Sequence, residues 1–176
     1  TRPIGSRKFT SPPAGNDWRT ILVGGLGAGG RAVYALDVTN PIAPPPPAVS
    51  GDSEATAAGK VLWEFTDANL GYVYDAPTLV KTQAYGWVGL VASGYNNPGG
   101  KGFLYVLNPS APTKAGQLLK KIPLPGDTGT DLSPTGLSTI RAFTSSRQNP
   151  YALQAYGGDL KGNVWRFDLS NPDAAQ

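Results

Sequence analysis

Val33-Tyr34-Ala35-Leu36-Asp37 returns as Leu104-Tyr105-Val106-Leu107-Asn108 and again as Val164-Trp165-Arg166-Phe167-Asp168. Each copy runs aliphatic, aromatic, variable, large apolar, then carboxylate or amide. Each follows a strand of small and apolar residues and a glycine-rich turn: Gly24–Gly30, Gly94–Gly102 and Gly157–Gly162. From Asp37 to Asn108 is 71 residues and from Asn108 to Asp168 is 60. Self-similarity at long spacing marks a repeat architecture in which each unit buries its apolar faces against neighbours.

The segments around these copies have strand composition. Trp18–Val23, Arg31–Val38 and Lys60–Phe65 form a first group, Ala76–Thr82, Gly86–Ser93, Gly102–Asn108 and Gln117–Leu124 a second. Gly136–Phe143, Tyr151–Tyr156 and Asn163–Leu169 form a third. Gly, Pro and Asn punctuate them, which predicts an all-β chain. Phe103/Tyr105/Leu107 and Leu104/Val106 are apolar on both alternating faces, so their sheet must be covered on both sides. Antiparallel four-stranded sheets covered by one another are the blades of a β-propeller. The expected architecture is therefore a partial propeller of about three blades, a ring closing only with about four to eight. The expected divisions are a loop over 1–17, then blades over 18–65, 76–124 and 136–169. The first blade has three strands, the second is complete, and the third lacks its outer strand. Pro41–Gly59, with the run Pro44–Pro47, reads as a polyproline-like surface insertion.

The composition agrees. Among 176 residues, Gly 23 and Pro 17 accompany a hydrophobic fraction of 40%, a turn-rich β bias more than a disordered one. The net charge of +3 is scattered without a basic stripe, which argues against nucleic acid as a partner. No apolar run approaches the roughly 20 residues of a membrane-crossing helix, so membrane insertion is not expected. The absence of Met predicts a processed product or a piece of something longer.

Gly25-Leu26-Gly27-Ala28-Gly29-Gly30 satisfies a dinucleotide-binding pattern. That motif needs a helix to start at its last glycine, and Arg31–Val38 has strand composition instead. Hairpin turns that exploit glycine's tolerance of positive φ account for all three glycine tracts. Catalysis has little to work with. Zero His and zero Cys remove the usual base, metal ligand and thiol nucleophile, and the acids comprise ten Asp and two Glu. Asp37, Asp159 and Asp168 stand at turns or strand ends, where accepting backbone hydrogen bonds is the expected task.

Arg31–Asp37, followed after the insertion by Gly59-Lys60-Val61-Leu62-Trp63-Glu64-Phe65, resembles the repeat of quinoprotein-type propellers. That resemblance implies that Trp63 is a docking residue between adjacent blades. Trp18–Pro41, Leu62–Phe65 with Leu70-Gly71-Tyr72, and Gly157–Leu169 look more closely like the C-terminal propeller of the PilY1/PilC family of type IV pilus proteins. The likeness covers most of residues 18–172. It implies a non-enzymatic protein of the Gram-negative cell surface or pilus tip that acts in pilus biogenesis, retraction control and adhesion. Its implied partners are pilins or minor pilins, the other propeller blades of its parent, and host surface receptors. Many family members carry an oxygen-rich calcium loop just before the Gly157–Gly162 tract. The matching stretch here, Thr144–Tyr151, has no carboxylate and carries Arg147, whereas calcium takes about six to eight oxygens. No cofactor is expected. Asp127 and Asp131 are the remaining close acidic pair, and a loop with two solvated acids competes with a weak metal site there.

Contact residues are expected in loops such as Pro41–Gly59, Leu124–Pro134 and Thr144–Pro150. Tyr95, Arg147 and Tyr151 are the interaction candidates, because Tyr and Arg dominate interface hot spots, although Tyr151 fits a core position equally. Two rival readings share the fold: a pyrroloquinoline-quinone-dependent dehydrogenase, and a scaffold propeller like those of outer-membrane assembly.

Overall fold

The computed structural model describes residues 19–39, 58–111, 117–144 and 149–170. Three antiparallel sheets of three, four and three strands follow one another along the chain. The first comprises β1 (Ile21–Gly25), β2 (Val33–Asp37) and β3 (Val61–Phe65) in spatial order. The second is β4 (Thr78–Thr82), β5 (Gly86–Ala92), β6 (Phe103–Leu107) and β7 (Leu118–Pro123). The third is β8 (Leu137–Thr144), β9 (Ala152–Asp159) and β10 (Val164–Asp168). Every sheet is a simple meander of sequential neighbours, the arrangement of propeller blades in an open arc.

The doubly apolar reading of β6 is realised literally. Val91, Tyr105 and Leu107 face the first sheet and join Val33, Ala35, Trp63 and Phe65 in one buried cluster. Val88, Leu90, Leu104 and Val106 face the third sheet, where Leu137, Ile140, Ala155 and Phe167 complete a second cluster. Trp63 is buried in the first cluster, consistent with an inter-blade wedge. The outward faces of the flanking sheets remain exposed, with Leu22 and Val61 on one and Phe143, Tyr156 and Val164 on the other.

Two boundaries correct the assignment of all the glycines to turns. Strand β1 runs on through Gly24 and Gly25, and β9 through Gly157 and Gly158. The reason is steric. A Cβ at Gly24 would meet the Tyr34 hydroxyl oxygen at 2.6 Å, and one at Gly157 would meet Ile140 Cδ1 at 2.6 Å. These glycines let neighbouring side chains cross over the strand. The turns begin later, in a 3₁₀ turn at Gly27–Gly29 and around Leu160–Gly162.

The repeat's terminal residue has a fixed task. Asp37 Oδ1 accepts the Thr39 amide at 3.0 Å, Asn108 Oδ1 the Ser110 amide at 3.1 Å, and Asp168 Oδ1 the Ser170 amide at 2.8 Å. All three are Asx turns, and they close β2, β6 and β10 at the same end of the arc.

Candidate functional site

At the end opposite those Asx turns, five connections form one rim: β1–β2, β3–β4, β5–β6, β7–β8 and β9–β10. They are tied by backbone bonds that cross from blade to blade. Gly27 N donates to Val73 O at 3.1 Å and Gly71 N to Ser93 O at 2.7 Å, and Tyr72 and Tyr95 exchange a pair at 2.8 and 3.1 Å. Further along, Gly94 N donates to Leu137 O at 2.9 Å, Thr135 N to Gly100 O at 2.8 Å, and Leu160 N to Thr135 O at 2.8 Å. Loops so bound present side chains in fixed relative positions, as contact surfaces on rigid scaffolds do.

Side chains from three of these connections make one aromatic cluster. The rings of Tyr72 and Tyr74 are 6.4 Å apart and those of Tyr74 and Tyr95 are 5.9 Å apart. The Arg31 guanidinium lies 5.2 Å from the Tyr72 ring centre. Tyr74 is 61% exposed, and Tyr95, Leu26 and Arg31 also reach the surface. Tyr95 was legible in the sequence as a loop tyrosine. Tyr72, Tyr74 and Arg31 were not, because they meet it only through the blade-to-blade bonds.

Rim carboxylates are consumed internally. Asp127 accepts from the amides of Gly102 at 2.6 Å and Gly129 at 2.7 Å, and Asp131 accepts from Gly99 N at 2.6 Å. Both acids thereby clamp the Gly94–Gly102 connection, and their oxygens meet amide hydrogens. Among the described residues no group of three or more His, Cys, Asp or Glu could hold a metal ion. Asp159 accepts the Lys161 and Asn163 amides and the Asn163 and Trp165 side chains, all between 2.8 and 2.9 Å. Asp75 pairs with Arg141 through two contacts of 2.6 and 3.2 Å that bridge the second and third blades.

Asp67 is the rim carboxylate that combines an ion pair with a buried hydroxyl. It accepts from the Lys121 ammonium at 2.7 Å, the Tyr105 hydroxyl at 2.8 Å and the Asn69 amide at 2.8 Å. Burial works against its charge, but the Lys121, Asn69 and Tyr105 hydrogen bonds outweigh it and hold the carboxyl below its ordinary range. Burial first, and then Asp67, push the Tyr105 hydroxyl far above its ordinary value. A carboxylate depressed in the folded state binds its proton more readily when unfolded, so stability falls as pH drops from about 4 through the folded value. The expected result is an acid limb in the urea midpoint that flattens in Asp67→Asn. That variant is also expected to lose about 2 kcal/mol at neutral pH.

The other predicted contact residues lie apart from this cluster. Tyr151 is half-buried at the opposite end, bridged to Lys81, whose ammonium sits 4.7 Å from the ring centre. Arg147 falls outside the described residues, as do residues 41–57 of the Pro41–Gly59 insertion and 145–148 of the stretch matching the calcium loop.

Comparison with known proteins fits this architecture. Residues 7–176 match the family model described as the PilY1 beta-propeller domain. The chain is 37% identical over 155 residues to the type IV pilus biogenesis factor PilY1 of Pseudomonas aeruginosa strain UCBPP-PA14, covering 86% of this chain and 11% of that protein. It is 33% identical over 165 residues to a PilY1 homolog of Xylella fastidiosa strain Temecula1, covering 89% and 10% respectively. The crystal structure of the Pseudomonas aeruginosa PilY1 C-terminal domain matches with a TM-score of 0.67 at 30% identity, covering 90% of this chain and 31% of that one. The chain thus spans about a tenth of the length of the curated relatives it matches.

Proposed function

The chain belongs to the PilY1 β-propeller family, and on that footing we propose that it is a non-enzymatic segment of a type IV pilus biogenesis factor that works by protein contact. Its place is the cell surface or pilus tip, its partners are pilins or minor pilins beside the flanking blades, and retraction control and adhesion follow from those contacts. The observation that carries this reading is the rim, where cross-blade hydrogen bonds hold exposed tyrosines and an arginine in a fixed array. Fixed aromatic and arginine side chains are the usual energetic centres of protein interfaces.

The test uses a strain lacking the complete protein, complemented either with that protein or with its Tyr74→Ala/Tyr95→Ala form. Surface pili are counted by electron microscopy and the protein level is measured by immunoblot. The null strain is expected to be bald. The double variant should accumulate normally yet restore about tenfold fewer pili, as loss of two interface anchors predicts. A null strain with normal pili overturns the biogenesis role, and full restoration by the variant removes the rim from it.

A further inference from the structure

Resting on the contact role proposed above, we infer that the Arg31–Tyr72–Tyr74–Tyr95 corner of the rim is the docking site for an acidic polypeptide segment that carries apolar side chains. Two independent features of the surface specify that chemistry.

The first is the shape and composition of the corner. Tyr72 and Tyr74 come from the connection into the second blade, Tyr95 from the β5–β6 connection, and Leu26 and Arg31 from the β1–β2 connection. Backbone contacts leave these elements no room to rearrange. A Cβ on Gly71 would lie 2.2 Å from the Tyr95 carbonyl oxygen, so the two chains already touch. Tyrosines held this way offer large contact area with little rotamer entropy to lose, which suits an extended segment bringing apolar groups.

The second is an asymmetry of charge. The rim's carboxylates Asp67, Asp75, Asp127, Asp131 and Asp159 are all tied to internal donors, as their hydrogen bonds show. Arg31 and Lys101, by contrast, are exposed and form no ion pair with a described carboxylate. The Arg31 guanidinium lies over the Tyr72 ring and, among the described residues, pairs with no carboxylate, so its edge can take one in the two-pronged geometry. At the corner itself, among Leu26, Arg31, Tyr72, Tyr74 and Tyr95, the one charged member is the Arg31 cation, which favours an anionic partner over a cationic one. The tyrosines add the requirement for apolar content that a purely ionic surface lacks.

The experiment uses the complete protein and three labelled probes in fluorescence anisotropy. These are a synthetic peptide alternating Glu with Leu and Phe, the same peptide with Lys replacing Glu, and a sialylated oligosaccharide. The acidic peptide should bind at least about tenfold more tightly than the basic one and weaken as salt rises. Arg31→Glu and Tyr74→Ala should each weaken the acidic peptide about tenfold or more, with Arg31→Lys retaining part of the affinity. Both positions are exposed, so these variants test the surface and leave the fold intact. Equal binding of the two peptides, unchanged affinity in the variants, or binding of the oligosaccharide alone overturns the proposal. Pilus counts on cells carrying Arg31→Glu separate the two levels. Reduced pili without acidic-peptide binding would sink the partner chemistry and leave the biogenesis role standing, whereas a bald-free null strain sinks that role itself.

Discussion

Gly94→Ala is expected to unfold about 3 kcal/mol more easily than the parent in urea, one of the two largest single-site effects in this chain. Gly94 has φ of 73° in the left-handed region, where a Cβ is disfavoured by about 1 to 2 kcal/mol. The added methyl would also stand 2.3 Å from the Tyr72 carbonyl oxygen, and backbone there cannot rotate away as a side-chain tip can. Gly94 N moreover donates to Leu137 O, so any retreat loosens the contact between the second and third blades. Gly86 supplies the control. Its φ is 72°, but a Cβ there meets nothing within 4 Å. Gly86→Ala should therefore show the conformational cost alone, about 1 kcal/mol. Equal losses at the two sites would mean that the rim does not hold its backbone contacts in solution.

Trp63→Ala should cost about 3 to 5 kcal/mol, the range for removing a fully buried large aromatic. The indole is 3% exposed and fills the space between the first and second sheets beside Val91, Tyr105 and Leu107. Its Nε1 hydrogen finds no acceptor among the described residues. Trp63→Phe therefore gives up volume without giving up a hydrogen bond, and should lose only about 1 to 2 kcal/mol. Differential scanning calorimetry of the complete protein resolves the order. If Phe and Ala behave alike, the indole is not the wedge between blades.

The fold was legible because a propeller writes its packing into local periodicity. Leu104-Tyr105-Val106-Leu107 is apolar at every position, and only a sheet with neighbours on both faces has that need. The extent of β1 and β9 was less legible. Gly24 and Gly157 read as turn formers, whereas the structure uses them as gaps over which Tyr34 and Ile140 cross, a requirement set by residues outside each strand. The corner on the rim was legible only at Tyr95. Its other members come from connections that touch through main-chain bonds such as Gly71 N to Ser93 O, and no side-chain pattern encodes those pairings. Asp127 and Asp131 read as a close acidic pair in a loop, and the amides they accept, Gly102 N and Gly99 N, lie too far along the chain for spacing to reveal.

The Asx turns that end β2, β6 and β10 give the two ends of the arc different evolutionary freedoms. Each turn completes itself within three residues, so whatever follows inherits a strand already terminated. Twenty-three residues separate β2 from β3 and ten separate β6 from β7, yet both strand pairs are antiparallel neighbours with a single shift of register. Insertions and deletions at that end leave the blades in alignment. At the rim, a change of one residue in length would break several cross-blade bonds at once. Lineages should therefore diversify by length beyond the Asx turns and by side-chain identity on the rim, and a peptide tag meant to be silent belongs at the former.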